Sequence, residues 1–94
     1  MLGMLTWDPV NTYGQHWLKL HGIEIALVDT TVDPAWPWSV TVERQRGIES
    51  KLVGGRSKTL EHGKKMAERW ARANMPRLEV EVARKAAARV KHHV

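Results

Sequence analysis

The sequence predicts an α+β fold: an antiparallel sheet of three to four strands, packed by one long amphipathic helix and followed by a C-terminal helix (β-β-β-β-α-α). Two stretches in the first half alternate apolar and polar residues with the period of a half-buried strand. One stretch in the second half spaces its apolar residues along a helical stripe. The 94 residues read as a single domain over 1–94, with an N-terminal arm (1–15), the sheet (16–55), the main helix (57–74) and a basic C-terminal helix (77–94).

Trp17–Leu27 carries the first strand signal. Its apolar parity switches at Gly22, and a two-residue turn at His21-Gly22 resolves the switch. In that register Leu20 faces Ile23, Leu18 faces Ile25, and Lys19 opposes Glu24 on the other face. One long strand with a bulge at Gly22 is the alternative. Asp29–Pro34 reads as loop. The next strand signal runs from Trp36 to Glu43, with Trp38, Val40 and Val42 on one face and Pro37 at the start or on an edge. Gln45-Arg46-Gly47 suits a three-residue hairpin that sets Val40 opposite Leu52 and Val42 opposite Ser50. Gly54-Gly55 would end that strand.

Ser57 or Thr59 can cap the main helix, whose inward stripe is Leu60, Gly63, Ala67, Trp70 and Ala71. Glu61–Lys65 and Lys64–Glu68 stand at ion-pairing spacing outside, and Asn74 and Pro76 mark the end. Pro76–Val94 supports two patterns. Leu78, Val80 and Val82 alternate as in a strand, while Leu78, Val82, Ala86 and Val90 form a helical stripe. The Ala86-Ala87-Ala88 run favours a second helix from about Ala83, leaving 77–82 open between strand and helix.

Composition excludes several function classes. With no cysteine there are no disulfides, thiolate metal sites or cysteine nucleophiles, which suits a reducing cytoplasm. The longest uncharged apolar run, Ile25–Val28, is four residues, so no membrane span is expected. Met1–Leu5 has neither a basic leader nor a cleavage site, so no signal peptide is expected. His16, His21, His62, His92 and His93 show no metal-ligand spacing, and adjacent His92 and His93 point about 100° apart on a helix. No metal or other cofactor is expected. No nucleophile, base and orienting acid can be assembled either, because Ser57 and Thr59 serve better as caps. The chain is therefore expected not to be an enzyme. Gly54-Gly55-Arg56-Ser57-Lys58 before a helix could touch an anion, but it lacks the spacing of a nucleotide-binding loop.

Charge is divided unevenly. Residues 1–43 hold one base (Lys19) against five acids, a net −4, while residues 44–94 hold fourteen bases against five acids, a net +9. Such a division can steer a polyanion to one side or let two copies attract. Arg56 and Lys58 lie at the approach to the main helix, and Lys64, Lys65, Arg69 and Arg72 on its outer face. Arg84, Lys85, Arg89 and Lys91 follow on the last helix with no acid among them. These ten are the candidate nucleic-acid-binding residues, by phosphate neutralisation. Arg44, Arg46 and Lys51 extend the set. Trp38 and Trp70 are expected at the heart of the core, strand against helix. Trp7, Trp17 and Trp36 are harder to bury in so thin a core. Trp36, Pro37 and Trp38 are the candidate partner-binding residues: tryptophan is favoured at binding hot spots, and an edge strand there could pair with another chain. The leading expectation is a small non-enzymatic interaction module that binds a protein partner or itself. A basic nucleic-acid-binding protein is the alternative.

The W-x-W-x-V strand (Trp36, Trp38, Val40), a glycine-ended strand and the run Ser57-Lys58-Thr59-Leu60-Glu61-His62-Gly63-Lys64-Lys65-Met66-Ala67-Glu68 together are similar to short uncharacterised proteins of actinobacteria and their bacteriophages. Those place an antiparallel sheet before a helix opening S-x-T-L-E-x-A-K-x-x-A-E. The likeness covers about residues 36–72, with Gly63 in place of the pattern's alanine. It implies a sheet packed by one helix, in the manner of double-stranded-RNA-binding-like folds. It also implies an accessory role of inhibiting or redirecting a host factor.

Overall fold

Among the described residues, five antiparallel strands form one sheet in sequence order, and two helices follow it. The structure, a computed structural model, describes residues 4–47 and 52–92. The strands are β1 (Leu5–Trp7), β2 (His16–Leu20), β3 (Ile23–Thr30), β4 (Trp38–Val42) and β5 (Leu52–Ser57). The helices are α1 (Leu60–Ala73) and α2 (Met75–His92). The α+β class is as expected, with five strands rather than three or four. The added strand, β1, comes from the arm and pairs Leu5 with Leu20 and Trp7 with Leu18.

The β2–β3 hairpin turns at His21 (φ 50) and Gly22 (φ 78), the two left-handed residues a type I′ turn requires. Leu20 faces Ile23 and Lys19 faces Glu24 as expected. The pairing then slips by one, so Leu18 faces Ala26 rather than Ile25. That bulge leaves Ile25 as the extra residue and resets the parity of β3. Ala26 and Val28 join Leu18 and Leu20 on the inner face, and Leu27 points outward opposite Trp17. β3 runs on to Thr30, two residues into the stretch read as loop.

The β4–β5 connection is not the expected three-residue hairpin. Glu43 adopts a left-handed conformation (φ 62), Arg44–Arg46 make a 3-10 turn, and Gly47 (φ 100) leads out. Val42 therefore pairs with Leu52, the residue expected opposite Val40, and Val40 pairs with Gly55; Ser50, expected opposite Val42, lies outside the described residues. Gly54 and Gly55 do not end the strand. They sit inside β5, with Gly54 the extra residue of a second bulge. A Cβ on Gly55 would lie 2.6 Å from the Met66 terminal methyl, and its φ of +143 already disfavours any other residue.

Thr59 caps α1 by accepting from the His62 N–H at 3.1 Å. The helix lies on β3, β4 and β5 with Gly63, Ala67 and Ala71 buried beneath it. A Cβ on Gly63 would meet Ser57 Oγ at 3.0 Å and Val28 Cγ1 at 3.1 Å, so the glycine marks a close helix–sheet approach. Such small residues leave no gap wide enough for an indole. Trp38 and Trp70 are consequently half-buried flanks, not the core's heart. The centre is aliphatic: Leu18, Leu20, Ile25, Val28, Val40, Leu78 and Val82.

Residues 77–82 are helical. Asn74 closes α1 and its carbonyl accepts from the Leu78 N–H, so α2 begins almost at once, with Pro76 in its first turn where no donor is needed. Met75, Leu78 and Val82 are buried while Val80 is 51% exposed, which a strand's alternation would not allow. Past Val82 every described residue to Arg89 is exposed, apart from half-buried Lys85. No helix among the described residues is long and apolar enough to cross a membrane.

Candidate functional site

Trp36, Pro37 and Trp38 do not form an edge. β4 lies between β3 and β5, so the backbone of Trp38 is paired on both sides, and the sheet's edges are β1 and β5. The chain before it is also tied down. The Thr31 N–H donates to the Pro37 carbonyl at 2.8 Å and the Thr31 hydroxyl to the Trp36 carbonyl at 2.6 Å. Trp38 packs on the core flank with its ring edge-on to His16, centroids 5.9 Å apart. Burial, reinforced by Lys64, pushes the His16 imidazole below its ordinary pKa against the pull of Asp29. Trp36 alone of the three keeps substantial exposure, 43%.

The three tryptophans hardest to bury share one solution. Each ring lies beneath a cation: Lys64 over Trp7 at 5.0 Å, Arg44 over Trp17 at 5.1 Å and Lys58 over Trp36 at 5.2 Å from the centroid. Trp7 is fixed further by donating its indole N–H to Glu68 at 2.8 Å. The ion pairs expected along α1 are replaced accordingly. Lys64 goes to Trp7, and Glu68 pairs with Arg72 at 3.9 Å. The tryptophan–cation contacts and the Trp7–Glu68 bond join residues far apart in sequence, so spacing alone gave no signal for them.

Carboxylates are largely matched within the fold. Asp8 holds Lys19 at 3.0 Å and Asp33 holds Arg56 at 3.4 Å. Glu79 reaches His21 at 3.0 Å, joining the β2–β3 turn to α2. Glu43 and Glu81 share Arg77, which lies 3.0 Å from each. Arg46 Nε adds a 2.9 Å contact to Glu81, and the Gln45 amide donates to both carboxylates. Arg46 is therefore absorbed by the fold. Its hydrogen bond holds Glu81 at about 2, far below the ordinary carboxylate value, with Gln45 and Arg77 helping against the cost of burial.

Of the ten basic candidates, Arg56, Lys58, Lys64 and Arg72 carry internal partners. Lys65, Arg69, Arg84, Lys85 and Arg89 have no carboxylate within salt-bridge distance among the described residues. The side chain of Lys91, and all of Lys51, lie outside the described residues. Lys65, Glu68, Arg69 and Arg72 line a shallow groove of about 370 Å³ along α1. A second hollow of about 310 Å³ lies between Trp17, Glu24, Arg44, Gly47 and Lys85. The sequence reading missed it, because its walls come from two strands, a turn and α2.

The Gly54–Lys58 stretch is strand and a short link rather than a phosphate cradle, since its glycines lie within β5. Ser57 is fully buried and donates to the Thr59 carbonyl at 2.7 Å, leaving Thr59 as the cap. No group of three metal-ligating side chains gathers among the described residues. No known protein family, curated protein or solved structure matches this chain.

Proposed function

We propose that this chain is a non-enzymatic binding module that takes the backbone of a nucleic acid on two basic tracts. These are the outer face of α1 (Lys65, Arg69, Arg72) and the free end of α2 (Arg84, Lys85, Arg89). The reading rests on one observation: carboxylates pair with bases of β2, the turns, β5 and the first turn of α2, on α1 only with Arg72 at 3.9 Å, and Lys65, Arg69, Arg84, Lys85 and Arg89 are left uncompensated among the described residues. Repelling cations held on rigid helices are relieved by a polyanion, whose condensed counterions are then released. A chain without cysteine suits the same role in a reducing cytoplasm.

The reading predicts a linear fall of log K with log salt on an oligonucleotide, by about 0.7–0.9 per phosphate neutralised. Lys65→Ala and Arg69→Ala should each flatten that slope by about one. Fluorescence anisotropy across a salt series measures both effects. Absence of binding at about 50 mM salt, or binding indifferent to salt, contradicts the reading.

A second reading has its own support. Trp36 is the most exposed of the five tryptophans, on a loop braced by Thr31 and Asp33, and such an indole suits a protein partner or a second copy. It carries the accessory role toward a host factor. Trp36→Ala should then abolish retention of the partner in affinity purification from nuclease-treated lysate. Unchanged retention counts against it.

A further inference from the structure

The hollow between Trp17, Glu24, Arg44, Gly47 and Lys85 lies on the face of the sheet away from α1. Thr6 pairs with Lys19, Lys19 with Glu24, and Trp17 with Leu27, placing Trp17 and Glu24 on the outer face. Lys19 opposes Glu24 but gives its ammonium to Asp8 at 3.0 Å. The Glu24 carboxylate thus faces the same hollow as two cations, Arg44 and Lys85. Among the described residues none of the three closes an ion pair. Opposite charges held apart across about 310 Å³, the lower end of the range for ligand pockets, favour an occupant that satisfies both signs. The remaining wall is aromatic: the Trp17 indole with the Arg44 guanidinium carbon 5.1 Å from its centroid. Indole and guanidinium are the surfaces on which unpaired bases stack. Half-buried Lys85 links the hollow to the exposed basic end of α2, where Arg84 and Arg89 stand.

We infer that this hollow receives one unpaired nucleobase bearing an exocyclic amine. The amine donates to Glu24, the ring lies against Trp17 and Arg44, and Lys85 holds the adjoining phosphate. The inference rests on the nucleic-acid reading above and narrows it to single strands with a preference for cytosine or adenine over thymine, which offers no amine to a carboxylate.

The test is fluorescence anisotropy at low salt with labelled oligo(dC), oligo(dT) and a duplex, each about eight nucleotides or base pairs long. Wild-type protein should bind oligo(dC) more tightly than oligo(dT), and both more tightly than duplex. Trp17→Leu, which keeps an apolar cover over Leu27, should weaken oligo(dC) binding by about fivefold or more, the smaller end of base–aromatic stacking. Glu24→Ala should collapse the dC-over-dT ratio toward one without weakening oligo(dT), a pattern that misfolding cannot imitate. Equal binding of dC and dT, or a ratio unmoved by Glu24→Ala, overturns the inference. Salt-dependent binding of duplex and single strand alike, lost on Lys65→Ala and Arg69→Ala but not on Trp17→Leu, overturns the hollow and leaves the basic-tract reading standing. Failure of every probe to bind overturns both.

Discussion

Glu43 is a buried carboxylate on a left-handed backbone (φ 62), two unfavourable features in one residue. Its surroundings offset both. Arg77 donates at 3.0 Å, Gln45 at 3.1 Å, and Arg77 continues to Glu81, so the turn after β4 is bound to α2 through paired charge. Breaking such a set from one side leaves a carboxylate stranded, at a cost of several kcal/mol. Its pH dependence follows from Glu81, whose ordinary value of 4.5 drops to about 2 in the fold. A depressed carboxylate stabilises the native state fully above the unfolded value. That contribution is lost as pH falls from about 4.5 toward about 2. Urea midpoints measured across this window should decline steeply for the wild type. Glu81→Gln should be less stable at neutral pH and show a shallower decline; an identical decline contradicts the assignment.

At the scale of elements, α2 separates what patterning reveals from what it hides. Leu78, Val80 and Val82 alternate, and Pro76 precedes them, so strand and helix templates both fit. Packing decides in favour of helix because Leu78 and Val82 fill the end of the sheet, leaving Val80 in solvent. Leu78→Ala should therefore cost about 2–5 kcal/mol in urea unfolding, against within about 0.5 kcal/mol for Val80→Ala. Comparable losses at both positions would restore the strand. The His21-Gly22 turn was legible because a change of parity has few physical solutions. β1 was not, because Leu5–Trp7 is too short for a period of two to register. The two bulges also escaped: an inserted residue alters the register without altering composition, and Gly54-Gly55 looks like a strand's end unless Met66 is known to press on it.

Across the whole molecule, the sequence's division of charge is reshaped by folding. Acids of the N-terminal half reach bases far along the chain, as Asp33 does Arg56 and Glu43 does Arg77, so local counts overstate its free negative charge. The basic excess survives that matching, and for this reason Lys65, Arg69, Arg84, Lys85 and Arg89 could be named from sequence. That Lys64, Arg44 and Lys58 would cover Trp7, Trp17 and Trp36 was not legible, since each contact joins residues distant in the chain. Nor could the edge proposed at Trp36–Trp38 be excluded before strand order was known. Amide chemical-shift mapping of the labelled protein, titrated with a single-stranded oligonucleotide at low salt, addresses the central claim directly. The account predicts saturable shifts concentrated at Lys65, Arg69, Arg84, Lys85 and Arg89. Shifts centred on the Trp36 loop, or none that saturate, would contradict it.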